Sequence, residues 1–148
     1  MSADPAATAR ACAAAMWAED RASQQLGMRI AEIGPGTATL TMTVRDDMVN
    51  GHGIAHGGFV FALADSAFAF ACNSHDVRTV AYACTITYLA PTRLGDDLHA
   101  TATEHSRVGR TGTYDVTVTS GDAVVAEFRG TSRTLGGSLT GDPGTGGA

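Results

Sequence analysis

Asp65 is the residue whose place in the chain demands a reason. It interrupts Phe59-Val60-Phe61-Ala62-Leu63-Ala64-Asp65-Ser66-Ala67-Phe68-Ala69-Phe70-Ala71-Cys72, an otherwise almost wholly apolar run. A carboxylate there loses hydration, and that cost is offset only by partners or by proton uptake. Such an acid is either a local cross-link or a functional group. Just upstream, Asn50-Gly51-His52-Gly53-Ile54-Ala55-His56-Gly57-Gly58 holds four glycines in nine residues. A glycine-rich loop running into a helix leaves unpaired N–H groups at the positive end of the helix dipole. Those groups bind anions or polarise a carbonyl oxygen, and glycine lets a ligand come close. Gly57 as activator of an electrophile and Asp65 as a carboxylate would suit acyl hydrolysis.

Spacing adds a condition. Eight residues of helix rise about 12 Å, whereas a reacting carbonyl must lie about 3 Å from both groups. One helix can hardly supply both to one substrate. A two-fold dimer resolves this, with Gly57 of one protomer facing Asp65 of the other. His52 and His56, four apart, would suit a metal pair on a helix. The intervening glycines argue against that helix, no third ligand is evident, and no metal is expected. Taken alone, His56 reads as a loop hydrogen-bonding residue and Asn50 as a turn residue.

The elements that must position these groups follow from composition and period. Residues 5–25 are rich in good helix formers, with Asp4 to cap and Pro5 at the first position, and Gly27 ends the helix. A strand is expected at 28–34. Thr37 to Val44 alternates threonine with apolar residues, a strand with one buried face. Pro35-Gly36 between them signals a hairpin. Residues 46–58 read as loop. The run from Phe59 to Asn73 reads as a helix buried on every face. Four strand-like runs follow, at about 79–90, 96–106, 112–120 and 123–134. Gly95-Asp96 and Gly121-Asp122 supply turns, which points to an antiparallel meander. The tail from Gly136 has six glycines in thirteen residues and is expected to be disordered. The order predicts an α+β domain, one long helix gripped by a curved antiparallel sheet of five to six strands.

Composition bounds the function. The chain has 148 residues, enough for one domain with a real core but too few for a two-domain dinucleotide enzyme. Ten basic against fifteen acidic residues give −5, which argues against nucleic acid as the main partner. All ten basic residues are arginine. That reads as coding bias or, more sharply, as anion recognition by guanidinium groups. No apolar stretch approaches the ~18 residues of a membrane span. Cys12, Cys72 and Cys84 are odd in number and widely spaced, with no disulfide framework or zinc pair. With an acidic Met-Ser-Ala-Asp-Pro start, a reducing cytoplasm is expected.

Asn50-Gly51-His52-Gly53-x-x-His56-Gly57-Gly58, followed by Leu63-Ala64-Asp65, resembles the hotdog-fold acyl-CoA thioesterases, most closely the phenylacetic-acid-degradation (PaaI-type) branch. Ala67 to Ser74, Ala83-Cys84-Thr85-Ile86, Thr111 to Asp115 and Phe128-Arg129-Gly130 match as well. The resemblance covers roughly residues 25–135. With the helix and tail read above, the chain divides into an N-terminal helix over 1–26, a hotdog domain over 27–135 and a disordered Gly-rich tail over 136–148. The resemblance implies that Gly57 donates its N–H to the thioester oxygen and that Asp65 activates water or attacks directly. His56 would orient the thioester and the loop, and Asn50 would hold the site together or contact the water. The family often adds a Ser or Thr from the strand after the helix. Thr79 to Thr85 contains no serine, and Thr85 is the candidate there. Gly58, Thr85, Arg107 and Arg110 are the candidate substrate-binding residues, the arginines either as CoA phosphate contacts or as solvated surface charges. Phe59, Phe61, Phe68 and Phe70 would fill the core or line the acyl pocket.

The implied activity is hydrolysis of (hydroxy)phenylacetyl-CoA or another aromatic or medium-sized acyl-CoA. No cofactor is implied, since CoA is part of the substrate. A homodimer would be the minimal unit, within a homotetramer built as a dimer of dimers. The alternative is a non-catalytic acyl-CoA sensor, which would need a DNA-binding extension that the N-terminal residues do not supply. A hotdog dehydratase would want a histidine on the helix, and Phe59 to Asn73 has none.

Overall fold

Period-2 patterning sets the architecture. In β2 (Thr37–Thr43) Ala38, Leu40 and Met42 are buried, and the threonines take the other face. Leu98, Ala100 and Ala102 do the same in β4 (Asp97–Val108), as do Tyr114, Val116 and Val118 in β5 (Thr111–Ser120). The computed structural model describes residues 4–141. With β1 (Arg29–Gly34), β3 (Thr79–Tyr88) and β6 (Ala123–Thr134), these strands form one six-stranded antiparallel sheet in the order β1-β2-β4-β5-β6-β3. The meander holds for β4, β5 and β6. It does not hold for β3, which pairs with β6 and becomes the far edge. The chain then returns across the sheet through residues 89–96 to start β4 beside β2.

The central helix α3 (Gly57–Cys72) touches all six strands. Phe68 sits between Tyr114 and Phe128, with ring centroids 5.6 and 5.8 Å away. Gly130 lets that ring lie against β6, because a Cβ there would come within 2.8 Å of it. Burial is one-sided, however. Val60, Leu63, Ala64, Ala67, Phe68 and Phe70 are buried, whereas Phe61, Ala62, Asp65, Ser66 and Ala69 are only half-buried. The expected helix buried on every face therefore keeps an uncovered stripe in the single chain.

The N-terminal helix is two helices, α1 (Pro5–Glu19) and α2 (Arg21–Gln25). Asp4 caps the first and Pro5 opens it, as expected. Asp20 breaks it by adopting a non-helical backbone and capping α2, its carboxylate taking the Ser23 N–H at 3.0 Å. Trp17 of α1 packs on Phe70 of α3, with ring centroids 6.3 Å apart.

The glycine-rich tail is held in its first part. Asp76, at φ 60°, accepts hydrogen bonds from the Ser138 hydroxyl, the Leu139 and Thr140 N–H groups and the Thr140 hydroxyl. Order therefore extends beyond Gly136, and 142–148 lie outside the described residues. Among the described residues no helix is long and apolar enough to cross a membrane.

Candidate active site

Asn50 organises the glycine loop. Its side-chain oxygen accepts from His52 N–H at 2.9 Å and Ile54 N–H at 3.1 Å. Its backbone N–H donates to Ile54 O at 2.8 Å. The turn residue expected here is thus the loop's internal clamp. The loop is pinned on both sides, by Ala55 N–H to Thr92 O at 2.8 Å and His56 N–H to Met48 O at 2.9 Å.

α3 begins at Gly57, two residues earlier than the apolar run suggested, with His56 at the capping position. The His56 side chain is exposed and makes no capping bond. Among the described residues no acceptor meets the N–H of Gly57 or Gly58. The helix therefore presents free donors at its positive end. Beside them lies a mainly apolar cleft of about 380 Å³ lined by Gly57, Val60, Tyr88, Leu89 and Val125 among others. Tyr88, which the sequence did not flag, donates its hydroxyl to Gly57 O at 2.8 Å.

Asp65 lies two turns further along α3, about 12 Å from Gly57 by helical rise. It is on the half-buried stripe, and no donor among the described residues meets its carboxylate. Burial, and then the nearby Asp20 carboxylate, hold its pKa above the ordinary value. A raised pKa suits a general base near neutrality. One chain keeps the donor and the carboxylate apart.

Thr85 is not brought to Asp65. It is exposed, while Cys84 and Ile86 pack on the core side of β3. Cys84 feels Asp65, as Cys72 also does, its thiol pushed up by burial and then by that carboxylate.

Arg107 and Arg110 share a cleft of about 320 Å³ near the C-terminal end of α3, with Cys72, His75, Tyr114 and Ser132. Arg107 Nε lies 3.2 Å from Glu104 Oε1. The same oxygen accepts the Tyr114 hydroxyl at 2.8 Å and meets His75 Nε2 at 2.9 Å. Burial pushes Glu104 up, but Tyr114, His75 and Arg107 outweigh it and hold the carboxyl below its usual range. Burial drives the Cys72 thiol to about 12, so it is neutral and no nucleophile at pH 7.

Comparison with known proteins bears on this geometry. The family model of the thioesterase superfamily matches residues 52–127, from the glycine loop through most of the sheet. The acyl-coenzyme A thioesterase PaaI of Escherichia coli (strain K12) is 45% identical over 129 residues, covering 86% of this chain and 92% of the relative. The structure of E. coli PaaI, from the phenylacetic acid degradation operon, superposes with a TM-score of 0.89 at 43% identity, covering 91% of this chain and 99% of that one. A Streptococcus mutans UA159 protein solved with acetyl CoA gives a TM-score of 0.72 at 28% identity, covering 75% and 90%. A family model over half of the chain, a relative at this identity and a sheet wrapped on one long helix agree: the chain belongs to the thioesterase superfamily and has its hotdog fold.

Proposed function

We propose that the protein is an acyl-CoA thioesterase whose site is completed by a second copy of the chain. The observation that carries this reading is the separation of Gly57 and Asp65. Free N–H donors stand at one end of α3, and a carboxylate without a donor stands about 12 Å away on its uncovered stripe. In a two-fold pair, the Gly57 N–H of one protomer polarises the thioester carbonyl. Asp65 of its partner, as general base, delivers water to the carbonyl carbon. The tetrahedral intermediate collapses with loss of the CoA thiolate, leaving the free acid. Gly58 offers a second free N–H beside that of Gly57, His56 stands exposed at the capping position, and Asn50 keeps the loop in shape. No metal or cofactor takes part.

Several features support a partner copy. β3 is an edge strand with unpaired backbone groups, and Val80, Tyr82 and Tyr88 on it are 45%, 70% and 50% exposed. Phe61 on α3 is also left half-buried in the single chain. A dimer of dimers is the assembly we favour. Arg107 and Arg110 are proposed to meet CoA phosphates, and Arg107 is pre-set by Glu104. The phenylacetic acid degradation operon from which the E. coli relative comes favours an aromatic acyl group such as phenylacetyl. The exposed Thr85 keeps at most an outer substrate contact.

The test is thiol release from a panel of acyl-CoAs by wild type and Asp65→Asn. Turnover by wild type, lost in Asp65→Asn with CoA binding retained, is expected. Undiminished turnover in Asp65→Asn sinks the mechanism. Binding without turnover of any acyl-CoA by wild type points instead to a sensor.

A further inference from the structure

Four consecutive polar residues follow α3, and each reaches a different part of the fold. Asn73 accepts the Thr79 N–H of β3 at 2.9 Å and donates to Thr79 O at 3.0 Å. The buried Ser74 takes the Gly36 N–H of the β1–β2 hairpin at 2.8 Å. His75 meets Glu104 of β4. Asp76 reaches the stretch after β6. It accepts the Ser138 hydroxyl at 2.9 Å, the Leu139 N–H at 2.8 Å, the Thr140 N–H at 3.0 Å and the Thr140 hydroxyl at 2.9 Å. Its φ of 60° is the one positive φ outside glycine among the described residues, a conformation kept only where the surroundings hold it. The stretch fastened in this way runs as a strap along the rim of the Arg107–Arg110 cleft. Thr134 N–H donates to Arg110 O at 2.9 Å, Leu135 N–H to Arg78 O at 2.7 Å, and Arg78 N–H to Gly137 O at 2.9 Å. Val77, Thr79, Arg110 and Thr134 themselves line the cleft. The strap buries little, since Leu135, Gly136, Gly137, Ser138 and Thr140 are exposed and Leu139 is half-buried. Hydrogen bonds, those to Asp76 above all, therefore hold it in place.

We propose that Asp76 is a positioning residue for CoA: by fastening the strap it fixes the rim on which Arg110 stands, so that the latched strap and the CoA phosphates favour one another. This rests on the reading of Arg107 and Arg110 as phosphate contacts. Arg107 is held by Glu104, whereas the Arg110 guanidinium has no side-chain partner among the described residues. Its backbone alone aims it, and that backbone is bonded to Thr134 at the root of the strap. A rim free to move spreads Arg110 over many directions, and a phosphate must then order it at the moment of binding. The coupling is reciprocal: the factor by which the strap tightens CoA binding is the factor by which CoA tightens the strap. The reacting groups stand apart from this. The strap packs at the C-terminal end of α3, and Gly57 begins the helix about 22 Å away by helical rise. The latch therefore acts on the nucleotide end of the substrate and leaves the chemical step alone.

The experiment compares two thioesters of one acyl group, the acyl-CoA and the acyl-pantetheine that lacks the nucleotide and its phosphates. Asp76→Asn keeps a residue that tolerates positive φ and removes the charge and one acceptor. The double variant Ser138→Ala/Thr140→Ala removes two donors from the strap side and leaves residues 73–79 untouched. In both, KM for the acyl-CoA is expected to rise about fivefold, with kcat within about twofold of wild type and the acyl-pantetheine unaffected. Hydrogen exchange reads the reciprocal arm. CoA is expected to slow exchange at the Leu139 and Thr140 amides of wild type and to lose that effect in Asp76→Asn. Equal changes for the two thioesters, no change for either, or exchange at Leu139 and Thr140 indifferent to CoA overturns the proposal. Arg110→Ala run alongside separates the two levels. An unchanged acyl-CoA KM there sinks the phosphate reading, whereas a raised KM there beside latch variants that behave as wild type sinks only the strap.

Discussion

The Tyr88 ring fills the space that a side chain at Gly57 would need. Its hydroxyl donates to Gly57 O at 2.8 Å, and a Cβ built on Gly57 would fall 2.7 Å from the ring carbon that bears the hydroxyl. Gly57 shows no positive φ, so glycine is required here for space and not for backbone freedom. Tyr88 therefore sets where the first turn of α3, and its free N–H donors, lie.

Gly57→Ala tests this. Alanine is a good helix residue, so the fold should hold while Tyr88 is pushed away. We expect kcat to fall roughly tenfold or more, because small misplacements of a positioning group cost rate steeply. Tyr88→Phe keeps the ring and loses one hydrogen bond, for a loss of about threefold to tenfold. Equal activity of Gly57→Ala and wild type in the thiol-release assay would remove Tyr88 from the site.

The pH profile should report Asp65. Its pKa is raised by burial first and by Asp20 second. The thiols of Cys84 on β3 and Cys72 on α3 also face it electrostatically, but both are pushed up and stay neutral near pH 7. A general base must be ionised, so kcat/KM falls as pH drops through the raised value. In Asp20→Asn a neighbouring negative charge is gone, the Asp65 anion is easier to form, and the acid limb should move to lower pH. An unmoved limb would show that Asp20 does not act on the catalytic carboxylate.

Glu104 links stability to pH. Its folded pKa lies below the ordinary value of 4.5, so its contribution is present above that value and is lost as pH falls through the folded one. Acid should thus lower Tm in wild type more than in Glu104→Gln. Tyr114 is 1% exposed, and its hydroxyl bonds this carboxylate. Tyr114→Phe should cost about 1.5–3 kcal/mol by urea unfolding, the range for a hydrogen bond to a charged group.

The paired arginines divide by their surroundings. Arg107 is tied to Glu104, while Arg110 has no side-chain partner among the described residues. Arg110→Ala should raise the KM for acyl-CoA a few-fold and flatten its salt dependence, with stability unchanged. Arg107→Ala should do the same and also release Glu104. No change of KM or salt dependence in either variant would move the phosphate contacts elsewhere.

Much of this was legible locally. The alternation in β2 and β5, the Asp4-Pro5 start of α1, the loop-to-helix junction and Asp65 all follow from near neighbours in the chain. What was not legible depends on distant partners. β3 looked like the first strand of a meander, yet its partner is β6. Thr85 and Cys84 could not be sorted by counting from Thr79, because an irregularity in pairing between Ala81 and Ala83 shifts which residues face the core. The break at Asp20 was hidden among good helix formers. The role of Tyr88 arises only when β3 ends beside the start of α3.

The shared site makes a sharper claim than loss of activity. If Gly57 acts with the partner's carboxylate, two dead chains can rescue each other. Take a Gly57 variant that is inactive, with Gly57→Val as the bulkier choice, and mix it with Asp65→Asn after mild unfolding and refolding. Each mixed dimer then has one site built from an intact Gly57 and an intact Asp65, and one site lacking both. Random pairing makes about half the dimers mixed, so about a quarter of wild-type activity should return. A site contained within one chain would return none, since every chain in the mixture carries a defect. Size-exclusion with light scattering on the mixture confirms that dimers re-formed. Recovery near a quarter, absent from either variant refolded alone, would place the Gly57 donor and the Asp65 carboxylate of each working site on different protomers.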